Sequence, residues 1–147
     1  MNFNYNDGGR AASGRTGSTG DCVARSIAIA AELPYDEVYK RLAEGNQNQR
    51  RSKRENKVSG RRTASHGINV KRKWFVDYMA ELGFRWVPTM QIGSGCKVHL
   101  DAKELPAGRI VVALSKHYAA VIDGVVNDTY DCSRGGTRCV YGYWTKA

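Results

Sequence analysis

The dipeptide Asp123-Gly124 stands between two strand-like runs, His117-Tyr118-Ala119-Ala120-Val121-Ile122 and Val125-Val126-Asn127-Asp128-Thr129-Tyr130. A two-residue Asp-Gly loop is a strong local signal for a β-hairpin, because both loop residues must adopt positive φ to match the strand twist. That turn sets a register. Ile122 faces Val125, Ala119 faces Asp128 and His117 faces Tyr130. His117, Ala119, Asp128 and Tyr130 then share one face, while Asn127 and Asp131 fall on the other. Asp128 becomes the diagonal neighbour of His117, within side-chain reach.

The neighbouring sequence extends this hairpin into a sheet. Strands are expected at Arg109–Ser115 and, after the Ser133–Gly136 loop, at Arg138–Trp144. Earlier, Phe84, Trp86, Val87 and Met90 suggest a strand broken by Pro88, followed by a Gly93–Cys96 turn and a short strand at Val98 and Leu100. Asp101–Leu105 reads as a single helical turn. The first half has helical spacing instead. One helix is expected from an Asp21 N-cap to about Leu33, ended by Pro34. A second runs from about Asp36 to Glu44, stopped by Gly45. A third runs from Val70 to Leu82, capped by Asn69 and ended by Gly83. Its Trp74, Phe75, Tyr78, Met79 and Leu82 form a core stripe. Helices first and antiparallel strands second define an α+β class, with N-terminal helices packed against a C-terminal antiparallel sheet.

A chain of 147 residues suits one domain over 1–147. Residues 1–19 are polar and Gly-rich and read as an irregular arm. Residues 47–64 read as a basic flexible insertion, because they offer little apolar surface to bury. That insertion carries Arg50, Arg51, Lys53, Arg54, Lys57, Arg61 and Arg62, and the whole chain is +9. Such charge favours polyanions, nucleic acid among them, through phosphate neutralisation. It serves solubility equally well. No aromatic residues interleave with the charges, so base stacking is not indicated. No apolar run is long enough for a membrane span, and the N-terminus lacks a signal-peptide pattern, so a cytoplasmic location without membrane contact is expected. The four cysteines, Cys22, Cys96, Cys132 and Cys139, form no Cys-x-x-Cys pair and are expected as free thiols in that compartment. Cys132 and Cys139 could meet across a turn. No metal and no cofactor is expected; Cys96 with His99 is an isolated metal-type spacing.

Cys22 opens the first helix after the Gly14–Gly20 stretch. Backbone N–H groups and the positive end of the helix dipole favour an ionised thiol there. Taken alone, Cys22 is an ordinary small core residue, His117 a strand histidine and Asp128 a turn cap. Together they supply a nucleophile, a base and a group that orients the base.

The segments Gly20-Asp21-Cys22-Val23-Ala24-Arg25-Ser26-Ile27 and Leu33-Pro34-Tyr35-Asp36-Glu37-Val38 resemble the opening of papain-like cysteine peptidases of the compact bacterial and phage type. His117–Thr129 is similar to their His/Asp hairpin. Thr129–Arg134 with Arg138–Trp144 is similar to a run found in uncharacterised bacteriophage and prophage proteins. The resemblance covers about half the chain. It implies a papain-like fold and a thiol hydrolase (peptidase, isopeptidase or amidase) acting on a protein or peptide, with Cys22, His117 and Asp128 catalytic. An acyltransferase with the same triad is also compatible. Papain-like enzymes carry a Gln shortly before the nucleophile to help bind the oxyanion. This chain has Thr16, Gly17, Ser18 and Thr19 there, leaving the Cys22 N–H with Thr16, Ser18 or Thr19 as oxyanion candidates, or else Asn4 or Asn6. Two other readings stand beside it: a nucleic-acid-binding protein using Arg50–Arg62, and a catalytically weak papain-fold protein that binds a host protein.

Overall fold

The computed structural model describes residues 2–11, 21–48, 70, 72–90 and 93–146, with side chains of the second helix described through residue 45. Among these, the elements run β1 (Asn2–Tyr5), α1 (Cys22–Ala31), α2 (Tyr35–Asn48), α3 (Lys73–Glu81), β2 (Phe84–Pro88), β3 (Val98–His99), β4 (Arg109–Leu114), β5 (His117–Ile122), β6 (Val125–Asp128), β7 (Cys139–Val140) and β8 (Gly142–Lys146). A 3-10 turn at Arg134–Gly136 precedes β7.

The class is α+β, but the strict order of helices followed by strands does not hold. Asn2–Tyr5, expected within an irregular arm, forms an edge strand that pairs parallel with β6. The large sheet, in the order β1-β6-β5-β4-β8-β2, is therefore mixed rather than antiparallel. Strand β1 alternates polar and aromatic residues, Asn2-Phe3-Asn4-Tyr5, a period-two signal that the reading of residues 1–19 as an irregular arm passed over, and it is exposed along its length. Its side-chain anchor is polar: Asn4 Nδ2 donates to Asn127 Oδ1 at 2.9 Å.

The hairpin has the expected register, with Ala120 opposite Asn127, Val121 opposite Val126 and Ile122 opposite Val125. Asp123 (φ 48°) and Gly124 (φ 79°) are both left-handed, as this loop demands. Asp123 also ties the turn to the approach of β4, its Oδ1 accepting from the Gly108 N–H at 2.7 Å.

The sheet separates two cores. Val111, Ala113, Tyr118, Ala120 and Trp144 pack on one face against Ile27 of α1, Val38 and Leu42 of α2, and Phe75 and Met79 of α3. Ile110, Val112, Ala119, Val121 and Val126 pack on the other with Leu100, Cys132 and Val140. The second core is roofed by a ribbon of β3 and β7, which pair antiparallel through Val98–Val140 and His99–Cys139. The expected single strand Arg138–Trp144 is thus two short strands in different sheets, with Tyr141 between them donating its N–H to the Ala113 carbonyl at 2.9 Å.

Three local expectations change. Gly45 does not stop α2, which continues to Asn48. A Cβ at Gly45 would fall 2.3 Å from the Trp74 ring, so the glycine permits close packing of α2 and α3. Asp21 occupies the N-cap position of α1 but makes no capping hydrogen bond with its side chain. The expected free thiols are corrected by a Cys96–Cys139 disulfide, leaving Cys22 and Cys132 as the free cysteines. The glycine turn before Cys96 and the β3–β7 pairing bring those two together, while Cys132 is drawn into the second core. Helix α3 begins at Lys73, and the proposed cap Asn69 lies outside the described residues. No described helix is long and apolar enough to cross a membrane.

Candidate active site

Helix α1 and the β5–β6 hairpin meet at one end of the sheet, and their first and last residues make the site. Cys22 is the first residue of α1. His117 is the first of β5 and Asp128 the last of β6. The His117 Nε2–Asp128 Oδ2 distance is 2.6 Å, with both side chains nearly closed off from solvent at 8% and 4% exposure. A carboxylate accepts only, so Nε2 carries the proton and Nδ1 is left to serve a thiol. Asp128 Oδ1 also accepts from the Thr129 N–H at 2.7 Å, which holds the carboxylate plane.

The electrostatics couple all three groups. Burial alone would push the Cys22 thiol up. Hydrogen bonding with His117, a backbone hydrogen bond from Tyr118 and the His117 and Arg25 charges outweigh it, and its pKa lies below the ordinary value. Burial alone would lower His117; hydrogen bonds to Asp128, Cys132 and Cys22 and the Asp128 charge instead carry it up to about 11. Asp128 is raised by burial but brought below the usual carboxylate range by its hydrogen bonds to His117 and Thr129 and by the His117 and Arg25 charges. These shifts favour a thiolate beside an imidazolium.

A second network fixes α1 against the hairpin. The fully buried Asp21 accepts hydrogen bonds from Arg25 and from the Tyr35 hydroxyl, and lies 3.1 Å from Arg10 Nε. Arg25 Nη2 reaches Asp128 Oδ1 at 3.5 Å. Arg25 therefore spans from the start of α1 to the carboxylate that orients His117. At the far end of α1, Arg109 donates to the Ala30 carbonyl at 3.1 Å, placing a cation where the helix dipole is negative.

Cys22 and His117 line a cavity of about 510 Å³ whose walls include Tyr5, Arg10, Lys116 and Tyr130. Tyr130 packs against the His117 ring at a tilt of 40°, with 5.3 Å between centroids.

The structure brings together the three expected catalytic residues, and the expected face-sharing of His117 and Asp128 is met. Thr16, Ser18 and Thr19 lie outside the described residues, as do His66 and Arg50, Arg51, Lys53, Arg54, Lys57, Arg61 and Arg62. The side-chain amides of Asn4 and Asn6 both donate to Asn127 Oδ1, at 2.9 and 3.4 Å. Asp131 accepts from the Ser133 N–H and hydroxyl and caps the loop after β6. Cys96 is bridged, and His99 Nδ1 faces Glu104 Oε1 at 3.2 Å.

Sequence reasoning missed Cys132. It is buried beside His117 and Asp128, and the three side chains offer ligand atoms within 4.8 Å of one another. A nitrogen, an oxygen and a sulfur donor could hold a thiophilic cation. His117 Nε2 and Asp128 Oδ2 are engaged with each other, so a cation bound by those atoms would displace the proton between them. The Asp21–Arg25 pair was also missed, although its i,i+4 spacing on a helix was a readable signal. The cleft-wall residues Tyr5 and Arg10 had no signal, because only the parallel pairing of β1 carries them there. No protein-family model, curated protein or solved structure matches this chain, so the site stands on its own geometry.

Proposed function

We propose that the protein is a papain-like thiol hydrolase that cleaves amide bonds in a protein or peptide. The observation that carries this reading is the 2.6 Å His117–Asp128 bond, with the Cys22 thiol on the same imidazole at the start of a helix. The Cys22 thiolate attacks the carbonyl carbon, and its electron pair forms the S–C bond. The Cys22 N–H at the helix start faces the developing oxyanion. His117, held by Asp128, gives its proton to the leaving nitrogen as the C–N bond breaks. It then takes a proton from water, whose oxygen attacks the thioester carbonyl, and keeps that proton as the C–S bond breaks, so that the acid is released and the thiolate–imidazolium pair is restored.

The decisive experiment follows Cys22 with iodoacetamide across pH, together with turnover of an activated ester. Rapid alkylation at pH values where an ordinary thiol is protonated, and an acyl-enzyme burst lost in Cys22→Ala, support the reading. Alkylation no faster than that of a free cysteine at every pH overturns it. An unusually reactive Cys22 with no burst on any activated ester favours the catalytically weak relative that binds a host protein. The net charge of +9 supports a separate reading as a nucleic-acid binder. A salt titration on duplex DNA and on RNA tests it; the absence of binding at low salt removes it.

A further inference from the structure

Strands β4 and β5 are joined by Ser115-Lys116, with Leu114 paired to His117 across the turn. Lys116 adopts φ 55°, a left-handed conformation. Glycine or asparagine usually fills such a position, and a long side chain there carries a backbone strain. The turn is anchored from beneath, since Arg138 Nη2 donates to the Ser115 carbonyl at 2.7 Å. Lys116 is therefore held at the residue directly before His117, and it lines the same cavity as Cys22.

The cleft charges distinguish Lys116 from its neighbours. Arg10 and Arg25 are both drawn to the buried Asp21. Asp7, the acid on the cleft wall, accepts from the Gly9 and Ala11 N–H groups. Lys116 is exposed and makes no ion pair among the described residues. An unpaired ammonium on a strained, anchored turn beside the catalytic imidazole is placed to meet an anion on the substrate.

We propose that Lys116 is an anion subsite of the cleft and that the acyl compound attacked by Cys22 carries a carboxylate close to the scissile carbonyl. This rests on the thiol-hydrolase reading, but its test does not require turnover. Iodoacetate and iodoacetamide react identically with Cys22: sulfur forms a bond to the methylene carbon and iodide leaves with the C–I electron pair. They differ in that only iodoacetate carries a carboxylate. The His117 imidazolium favours iodoacetate in every variant, so the readout is the change in the iodoacetate-to-iodoacetamide rate ratio, with Cys22 labelling verified by peptide mass. A fall of roughly threefold to tenfold in Lys116→Gln, and further in Lys116→Glu, with the iodoacetamide rate unchanged, is expected for removal of one nearby charge. Lys116→Gly, which relieves the left-handed strain, must show the same fall as Lys116→Gln. An unchanged ratio overturns the subsite while leaving the nucleophile intact. A Cys22 no faster than free cysteine with iodoacetamide overturns the hydrolase reading instead.

Protection of Cys22 from iodoacetamide separates the two sources of a carboxylate. Protection by N-acetylglutamate α-amide assigns an acidic side chain, and protection by N-acetylglycine assigns a chain-terminal carboxylate; either must weaken in Lys116→Gln. Failure of both to protect overturns the subsite.

Discussion

At the scale of single residues, the site depends on two carboxylates with different duties. Asp128 sets the charge state of the Cys22–His117 pair. The thiolate–imidazolium form is present between the depressed Cys22 pKa and the raised His117 pKa near 11. It is lost as pH falls through the first, when sulfur is protonated, and as pH rises through the second, when the ring loses its proton. Iodoacetamide labelling of Cys22 is therefore expected to begin below the ordinary thiol range. In Asp128→Asn the onset should move to higher pH, with the rate at neutral pH falling about tenfold for each unit moved. Asp21 acts structurally. Its removal takes from Arg10 and Arg25 the buried carboxylate they share, and Asp21→Ala is expected to cost about 3–5 kcal/mol in urea denaturation. The two aspartates were not equally legible. Asp128 followed from the hairpin register alone. Asp21 sits where a capping residue belongs, and only the arrival of Tyr35 and Arg10 shows why its carboxylate turns away from the helix N–H groups.

Among the elements, α1 and the β5–β6 hairpin were readable because local rules govern both: apolar spacing for the helix, and a two-residue turn for the strands. Elements set by distant partners were not. Strand β1 carries only a four-residue alternation, Asn2-Phe3-Asn4-Tyr5, inside a polar, Gly-rich stretch, and its parallel partner β6 lies 123 residues further along the chain, so its pairing could not be read locally. Strands β7 and β8 read as one run because the switch between sheets occurs at Tyr141, where the chain leaves the ribbon to join β4 and β2. Gly45 looked like a helix terminator, yet its role is set by Trp74 on another helix. Gly45→Ala tests this directly. Helix propensity alone favours alanine by about 1 kcal/mol. Displacing the Trp74 ring costs roughly 1–3 kcal/mol. A net loss of stability, read as a lower thermal midpoint, is expected; a gain would show that the two helices separate freely.

Over the whole molecule, the Cys96–Cys139 bridge closes a sequence separation of 43 residues around β4, β5 and β6. A loop of that size corresponds to about 4 kcal/mol of denatured-state entropy, with native disulfides typically contributing about 2–4 kcal/mol. Reduction is expected to lower the urea midpoint accordingly. Its effect will escape one common optical probe. All three tryptophans lie on the helical side: Trp74 and Trp144 in that core, and Trp86 packed against Trp144, with 5.3 Å between the centroids of the tilted rings. The core beneath the ribbon contains none. Intrinsic fluorescence therefore watches a single side of the sheet. A chain whose ribbon has lifted would keep a native emission spectrum, and its loosened half would first be visible to amide hydrogen exchange at Val98 and Val140.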